Sequence, residues 1–127
     1  MEVIEAKSAG FCFGVARAVK IAQELADSAQ TPRMLGSVIH NQRVTEDLAR
    51  QGMTAISGPE EARAGDTVLL RAHGVGRAVY EDLKARGASV VDATCPKVAY
   101  VQQLVSAAEA EGRQPVMIGD PSHPEVL

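Results

Sequence analysis

Short apolar runs of strand length alternate along the chain with longer segments in which apolar residues recur every three or four positions. A strand followed by a helix, repeated several times, is typical of a parallel sheet with crossover helices. The predicted strands cover residues 3–6, 33–39, 53–56, 67–72, 88–92 and 115–119. The predicted helices cover residues 15–29, 44–51, 78–86 and 98–111. The pattern therefore predicts the α/β fold class.

Three glycines mark the ends of predicted helices. Gly52, Gly87 and Gly112 each follow a segment of helical spacing. The residue just beyond a helix often adopts a left-handed conformation, which glycine reaches without steric cost. We therefore expect a positive φ angle at all three positions.

Composition narrows the classes of function. The 127 residues are 46% hydrophobic and 23% charged, which is ordinary for a folded domain. A net charge of -3 and an aromatic content of 3% argue against nucleic acid as a partner. No apolar run is long enough for a bilayer, and the N-terminus does not resemble a signal peptide. These features predict a cytoplasmic protein without a membrane partner.

Both cysteines and all three histidines follow predicted strands. A lone cysteine is usually packing, and a lone histidine in a turn is more often a surface or capping group than a catalyst. In a parallel sheet, however, the turns after the strands meet at the carboxyl edge, where α/β proteins bind ligands. We therefore expect one site composed of Cys12, His40, His73, Cys95 and His123.

The surroundings of the two cysteines favour metal ligation. Cys12 lies between Gly10 and Gly14, which permit a tight turn and the close approach of a bulky group. Cys95 precedes Pro96, a favourable first helical residue, and a helix N-terminus stabilises a thiolate. No Cys-x-x-Cys pair is present, so zinc bound by distant turns and an iron–sulfur cluster, which commonly needs four ligands, both stay open.

The histidines favour an anionic ligand. Imidazoles and helix N-termini suit a diphosphate even on an acidic protein, since local donors matter more than net charge. Glu125 follows His123 by two residues. Its carboxyl group is either a proton donor or an exposed carboxylate at the start of a helix.

Five motifs in their order and approximate spacing resemble the hydroxymethylbutenyl diphosphate reductases, the LytB or IspH family. The similarity extends from about residue 8 to the last residues, and the set is far more specific than any one of its members. The motifs are Gly10-Phe11-Cys12-Phe13-Gly14-Val15, Ile39-His40-Asn41, Arg71-Ala72-His73-Gly74-Val75, Asp92-Ala93-Thr94-Cys95-Pro96 and His123-Pro124-Glu125-Val126.

The resemblance implies a three-module, trefoil-like iron–sulfur enzyme. Residues 1–95 would form the first α/β module, and residues 96–127 would begin the second. Cys12 and Cys95 would be two of three thiolate ligands of a 4Fe-4S cluster, with the third cysteine beyond Leu127.

The resemblance also implies roles for the polar residues. His40 and His73 would hold the diphosphate, His123 would bind diphosphate or deliver a proton, and Glu125 would belong to a proton relay. The reaction would be the reductive dehydroxylation of an allylic diphosphate, with electrons from a donor such as ferredoxin or flavodoxin. We expect the chain to be inactive alone. Two alternatives are an anion-binding module without redox activity and a zinc-stabilised structural domain.

Overall fold

The computed structural model describes residues 1–28, 31–121, 123, 125 and 126. Its regular elements alternate between strand and helix after an initial helix. The helices are α1 (Phe13–Ser28), α2 (Gln42–Arg50), α3 (Arg77–Ala85) and α4 (Pro96–Ala110). The strands are β1 (Pro32–Leu35), β2 (Thr54–Ile56), β3 (Thr67–Leu70) and β4 (Ser89–Asp92). A single turn of 3₁₀ helix covers Pro59–Glu61.

The four strands form one sheet in the order β2-β1-β3-β4. Every neighbouring pair is parallel, with Arg33 opposite Thr54 on one side and Val68 on the other. All four carboxyl ends therefore point to the same edge. The predicted α/β class with a parallel sheet and crossover helices is confirmed.

Two apolar clusters cover the two faces of the sheet. Residues of α1 and α2 pack on one face, and α3 packs on the other. The first cluster contains Ala18, Ala22, Leu25, Met34, Val38, Ile39, Leu48, Met53, Leu69, Ala72 and Ala93. The second contains Leu35, Ile56, Ala62, Val68, Leu70, Leu83 and Ala88. Burial on both faces explains the apolar runs of the two central strands, β1 and β3, whose residues are mostly buried.

The predicted helix ends agree with the backbone. Gly52, Gly87 and Gly112 have φ angles of 93°, 77° and 72°. Each directly follows the residue that closes α2, α3 or α4. α1 begins at Phe13, two residues before the predicted start, and the predicted last residue, Ala29, lies outside the described residues.

Two predicted strands are wrong. Residues 3–6 and 115–119 form no strand. Their apolar side chains lie in solvent, with 85% of Ile4 and 97% of Ile118 exposed. A strand needs a neighbour to accept its backbone hydrogen bonds, and an apolar run alone does not supply one. The strands predicted at 33–39 and 67–72 also end early, at Leu35 and Leu70.

Helix α4 is the least covered element. It has no buried residue, and Val101 and Leu104, which are three positions apart and so share a face, are about half exposed. Val116 and Ile118, a few residues past its end, are more exposed still. Among the described residues, no helix is long and apolar enough to cross a membrane.

We predict that the 127-residue polypeptide self-associates through this apolar face, because exposed patches of a few hundred Å2 commonly drive association. Leu104→Glu should shift the protein toward monomer, as measured by sedimentation velocity over a range of concentrations. Gln103→Glu adds the same charge at a neighbouring exposed position and should leave association unchanged. A wild-type chain that stays monomeric would show that the face is not adhesive.

Candidate functional site

Three imidazoles form a cluster beyond the carboxyl edge of the sheet. The ring centroids of His40 and His73 lie 4.4 Å apart. The His123 ring lies 6.4 Å from that of His40 and 6.0 Å from that of His73. Side chains separated by up to 83 positions in sequence are thus brought into one group.

The turn after β1 places His40 at the start of α2. Asn41 is the N-cap of this helix, and its Oδ1 accepts a hydrogen bond from the Val44 N–H at 3.2 Å. Ile39 is buried in the core and fixes the other side of the turn. His40 lies between the buried residue and the cap, and its side chain is exposed. The turn therefore presents an imidazole to solvent beside a helix N-terminus.

The backbone of Ala72 connects the three turns that follow β1, β3 and β4. Its N–H donates to the Val38 carbonyl at 3.1 Å, and its carbonyl accepts from the Cys95 N–H at 2.8 Å. Both bonds lie beyond the ends of the strands, so pairing continues into the turns. His73, the next residue, is held between the His40 turn and the Cys95 turn.

Cys95 is the N-cap residue of α4, with Pro96 in the first helical turn as predicted. The preceding turn is fixed by Thr94, whose N–H donates to Oδ1 of Asp92 at 2.8 Å. The thiol is free, the residue is half-buried, and its side chain makes no capping hydrogen bond. A thiolate here would be stabilised by the N–H groups and dipole of α4.

Cys12 occupies the equivalent position before α1. Its carbonyl accepts the first helical hydrogen bond, from the Ala16 N–H at 2.9 Å, and its thiol is free and exposed. Gly10 has a φ of 130°, and a Cβ there would meet no atom within 4 Å. The predicted strand before Cys12 is absent, so this turn is positioned by α1 rather than by the sheet.

Gly14 brings the Cys12 turn against Cys95. A Cβ at Gly14 would lie 2.4 Å from the Sγ of Cys95, far inside van der Waals contact. Only glycine fits at this position without displacing the sulfur. The first turn of α1 and the first turn of α4 therefore meet at the Cys95 thiol.

Burial and neighbouring charges shift the pKa of His73 in the histidine cluster. Burial lowers its pKa from the ordinary value of 6.5, and the positive charge of His40 lowers the pKa further. Glu125 opposes the shift, whereas Arg71 and His123 add to it. Its Nδ1 is buried and has no hydrogen-bond partner within the described part of the chain. The cluster thus holds a polar atom that a ligand oxygen could satisfy.

His123 and Glu125 reach the cluster from the segment after α4. The Glu125 N–H donates to His123 Nδ1 at 3.3 Å, and both side chains are exposed. The strand predicted before His123 is absent, so a turn places this residue. The negative charge of Glu125 nevertheless raises the pKa of His73, against the effect of burial. His123 thus completes the cluster, and Glu125 lies near it, although neither residue follows a strand of the sheet.

The structure brings together the predicted histidines, and the Cys95 N–H bonds to the carbonyl of Ala72, the residue before His73. Among the described residues, however, no group of three or more His, Cys, Asp or Glu side chains is arranged to hold a metal ion. The thiols of Cys12 and Cys95 are soft ligands at open positions, which fits two corners of an iron–sulfur cluster. Any remaining thiolates would have to come from outside these residues.

Two arginines near the site were missed by the sequence patterns. Arg71 is half-buried, its Nε donates to the Gly74 carbonyl at 3.4 Å, and its charge lowers the pKa of His73. Arg17 donates from α1 to the carbonyl of Thr94. Arg71 lies within a quoted motif and Arg17 lies one helical turn after Gly14, but neither position indicates a contact without the fold.

An open cleft of about 1170 Å³ adjoins the site on the side of α3 and α4. Its lining includes Arg71, Asp92, Thr94 and Glu125 together with apolar side chains of α4. Such a cleft accommodates a ligand with one charged end and one apolar end.

We predict that His73 titrates below 6.5, as measured by two-dimensional NMR of its ring protons over pH. His40→Gln removes a positive neighbour and should raise the pKa of His73, whereas Glu125→Gln removes a negative one and should lower it. The unfolded chain binds this proton more tightly, so the contribution of His73 to stability falls as pH drops below 6.5. If the pKa of His73 is the ordinary value and neither substitution changes it, the contacts described for His73 are wrong.

Curated relatives and solved structures extend these observations. The chain is 40% identical to the 4-hydroxy-3-methylbut-2-enyl diphosphate reductase of Caldanaerobacter subterraneus subsp. tengcongensis, with 100% of this chain and 46% of the relative covered. It is 42% identical to the reductase of the same name from Aquifex aeolicus, with 100% and 44% covered. The chain thus spans less than half the length of these relatives.

Two solved structures also superpose closely on this fold. A structure of (E)-4-hydroxy-3-methyl-but-2-enyl diphosphate reductase, the terminal enzyme of the non-mevalonate pathway, superposes with a TM-score of 0.84 at 42% identity, covering 98% of this chain and 44% of that one. The corresponding reductase from Plasmodium falciparum superposes with a TM-score of 0.90 at 29% identity, covering 94% and 38%. The LytB protein family model matches residues 3–127, and the chain therefore belongs to the LytB family.

Proposed function

We propose that the complete protein carries out the reductive dehydroxylation of 4-hydroxy-3-methylbut-2-enyl diphosphate to isopentenyl and dimethylallyl diphosphates. The observation that carries this proposal is the cluster of His40, His73 and His123 at the edge of the sheet where the Cys95 turn is bonded to the residue before His73. An anion site next to a soft metal ligand is what a diphosphate substrate and a redox reaction require together. The relatives with that activity agree with it.

The histidine cluster is proposed to bind the diphosphate. Three imidazoles within 6.4 Å present several N–H donors to one small volume. Helix α2 adds the N–H groups of its first turn other than that of Val44, which Asn41 caps. The lowered pKa of His73 reflects burial and positive neighbours, and a bound anion would relieve the second of these. Substrate binding would therefore be accompanied by proton uptake at this residue.

The cysteines are proposed as cluster ligands. Each thiol lies at the N-terminus of a helix, and the contact between Gly14 and Cys95 keeps the two turns adjacent. A 4Fe-4S cluster held there would relay electrons from the donor to the substrate and would act as a Lewis acid for the substrate hydroxyl.

Glu125 and His123 are proposed to supply protons. The reaction consumes two electrons and two protons: the C–O bond breaks, the hydroxyl leaves as water, and one proton is added to the allylic carbon skeleton. Glu125 lines the cleft and its charge raises the pKa of His73, which supports a proton-donor role beside the proposed anion site. A small electron-transfer protein such as ferredoxin or flavodoxin would provide the electrons, and a cytoplasmic location stays a prediction.

We predict that Cys12→Ser and Cys95→Ser in the complete protein each lower the iron bound after anaerobic reconstitution and abolish turnover, because a hydroxyl is a poor substitute for a thiolate on iron. Iron, sulfide and zinc analysis of the purified variants measures this. Full iron content with normal turnover in either variant would refute the ligand assignment, and stoichiometric zinc instead of iron would favour a structural zinc domain.

Glu125→Gln should retain iron but lower turnover by roughly a hundredfold or more, the usual contribution of a positioned proton donor. The readout is anaerobic conversion of the allylic diphosphate with a strong artificial reductant. Glu46→Gln removes the same charge from an exposed position on α2 and should have no effect. Normal reduction by the Glu125→Gln variant would exclude the proton-relay role.

A further inference from the structure

One residue of α1 reaches across the molecule to the turn that carries Cys95. The Nη1 of Arg17 donates to the Thr94 carbonyl at 3.2 Å, although the two residues are 77 positions apart. Thr94 is buried, and its N–H is already bonded to Asp92. The turn is therefore held at both its N–H and its carbonyl immediately before the cysteine.

Gly14, three residues before Arg17 on α1, contacts the same turn. Residues three apart lie on one face of a helix, so Gly14 and Arg17 face Cys95 together. The missing side chain of Gly14 leaves room for the sulfur, and a Cβ would lie 2.4 Å from Sγ and 3.1 Å from Cβ of Cys95. Gly14 allows the sulfur of Cys95 to approach α1 closely. Arg17 fixes the position of the preceding turn through its bond to the Thr94 carbonyl.

The charge on Arg17 is not explained by packing alone. Within the described residues it forms no ion pair, in contrast to Arg33, whose Nε lies 2.6 Å from Oδ2 of Asp66. Its guanidinium binds the turn at the N-terminus of α4, where the helix dipole disfavours a cation and favours an anion. A negatively charged group bound at this N-terminus would offset that cost.

We propose that Gly14 and Arg17 are positioning residues that fix the Cys95 thiol in the orientation needed to ligate the cluster. The inference rests on the proposed function for the identity of the bound group. It goes beyond that function by assigning two residues of α1 that do not themselves ligate metal or bind substrate.

The direct test is native-state hydrogen exchange of the metal-free complete protein. Arg17→Met keeps the side-chain stem but removes the donor, so the amides of Thr94 and Cys95 should exchange about fivefold faster, the effect of losing one hydrogen bond. Exchange at Leu69, in the central strand β3, should not change and reports that the fold is intact. Arg50→Met, which removes an exposed arginine from α2, is the matched control.

Iron binding after anaerobic reconstitution is the second measurement. Gly14→Ala should fold, since rotation of the Cys95 side chain relieves the clash, but should bind as little iron as Cys95→Ser because the sulfur has moved. Arg17→Met should also bind less iron, and Arg17→Lys, which keeps the charge and a donor, should recover part of the loss. If Arg17→Met unfolds, Arg17→Lys and Gly14→Ala decide the question.

The outcomes separate this inference from the proposed function. Wild-type exchange and wild-type iron in Arg17→Met and Gly14→Ala, with iron lost only in Cys95→Ser, would overturn the positioning role and leave the function standing. Full iron in Cys95→Ser would instead overturn the proposed function, and the exchange rates at Thr94 and Cys95 would still decide whether Arg17 fixes the turn.

Discussion

The site depends on the two backbone hydrogen bonds of Ala72. One reaches the carbonyl of Val38 and the other accepts from the N–H of Cys95, so the turns after β1, β3 and β4 are joined at one residue. Each bond contributes only about 1 kcal/mol to stability, but together they fix relative position. Because Ala72 is buried and small, the three turns can approach closely around it.

The same requirement for close approach shapes α1. Its buried positions are Gly14, Ala18, Ala22 and Leu25, so the end that meets Cys95 is lined by small residues. This stripe packs into the cluster that contains Ala72. The residues that let α1 lie against the sheet therefore also bring the Cys12 turn to the Cys95 turn. Packing of the core thus determines the geometry of the site.

The periodicity of the sequence predicted all four helices and the four strands of the sheet, because burial on one or both faces imposes that periodicity. It failed for residues 3–6 and 115–119, where an apolar run has no neighbouring strand, and whose side chains are largely exposed. The approach of His40 to His73 was predictable because both residues follow parallel strands, whereas His123 joins them from a turn after α4 and not from the strand predicted at 115–119. The contact of Arg17 was not predictable, since it joins α1 to the turn before α4, whose relative position no local pattern specifies. The bond from Arg71 to the carbonyl of Gly74 stays within one turn, but no sequence pattern distinguishes Arg71 from a solvent-exposed arginine.

We propose that the helix N-termini at Cys12 and Cys95 hold an iron–sulfur cluster beside an anion site. The decisive measurement is Mössbauer spectroscopy of the complete protein, reconstituted anaerobically with 57Fe and sulfide. We predict the signature of a 4Fe-4S cluster whose spectrum changes when the allylic diphosphate is added. A protein that binds zinc alone, or whose iron spectrum ignores the substrate, would contradict the account.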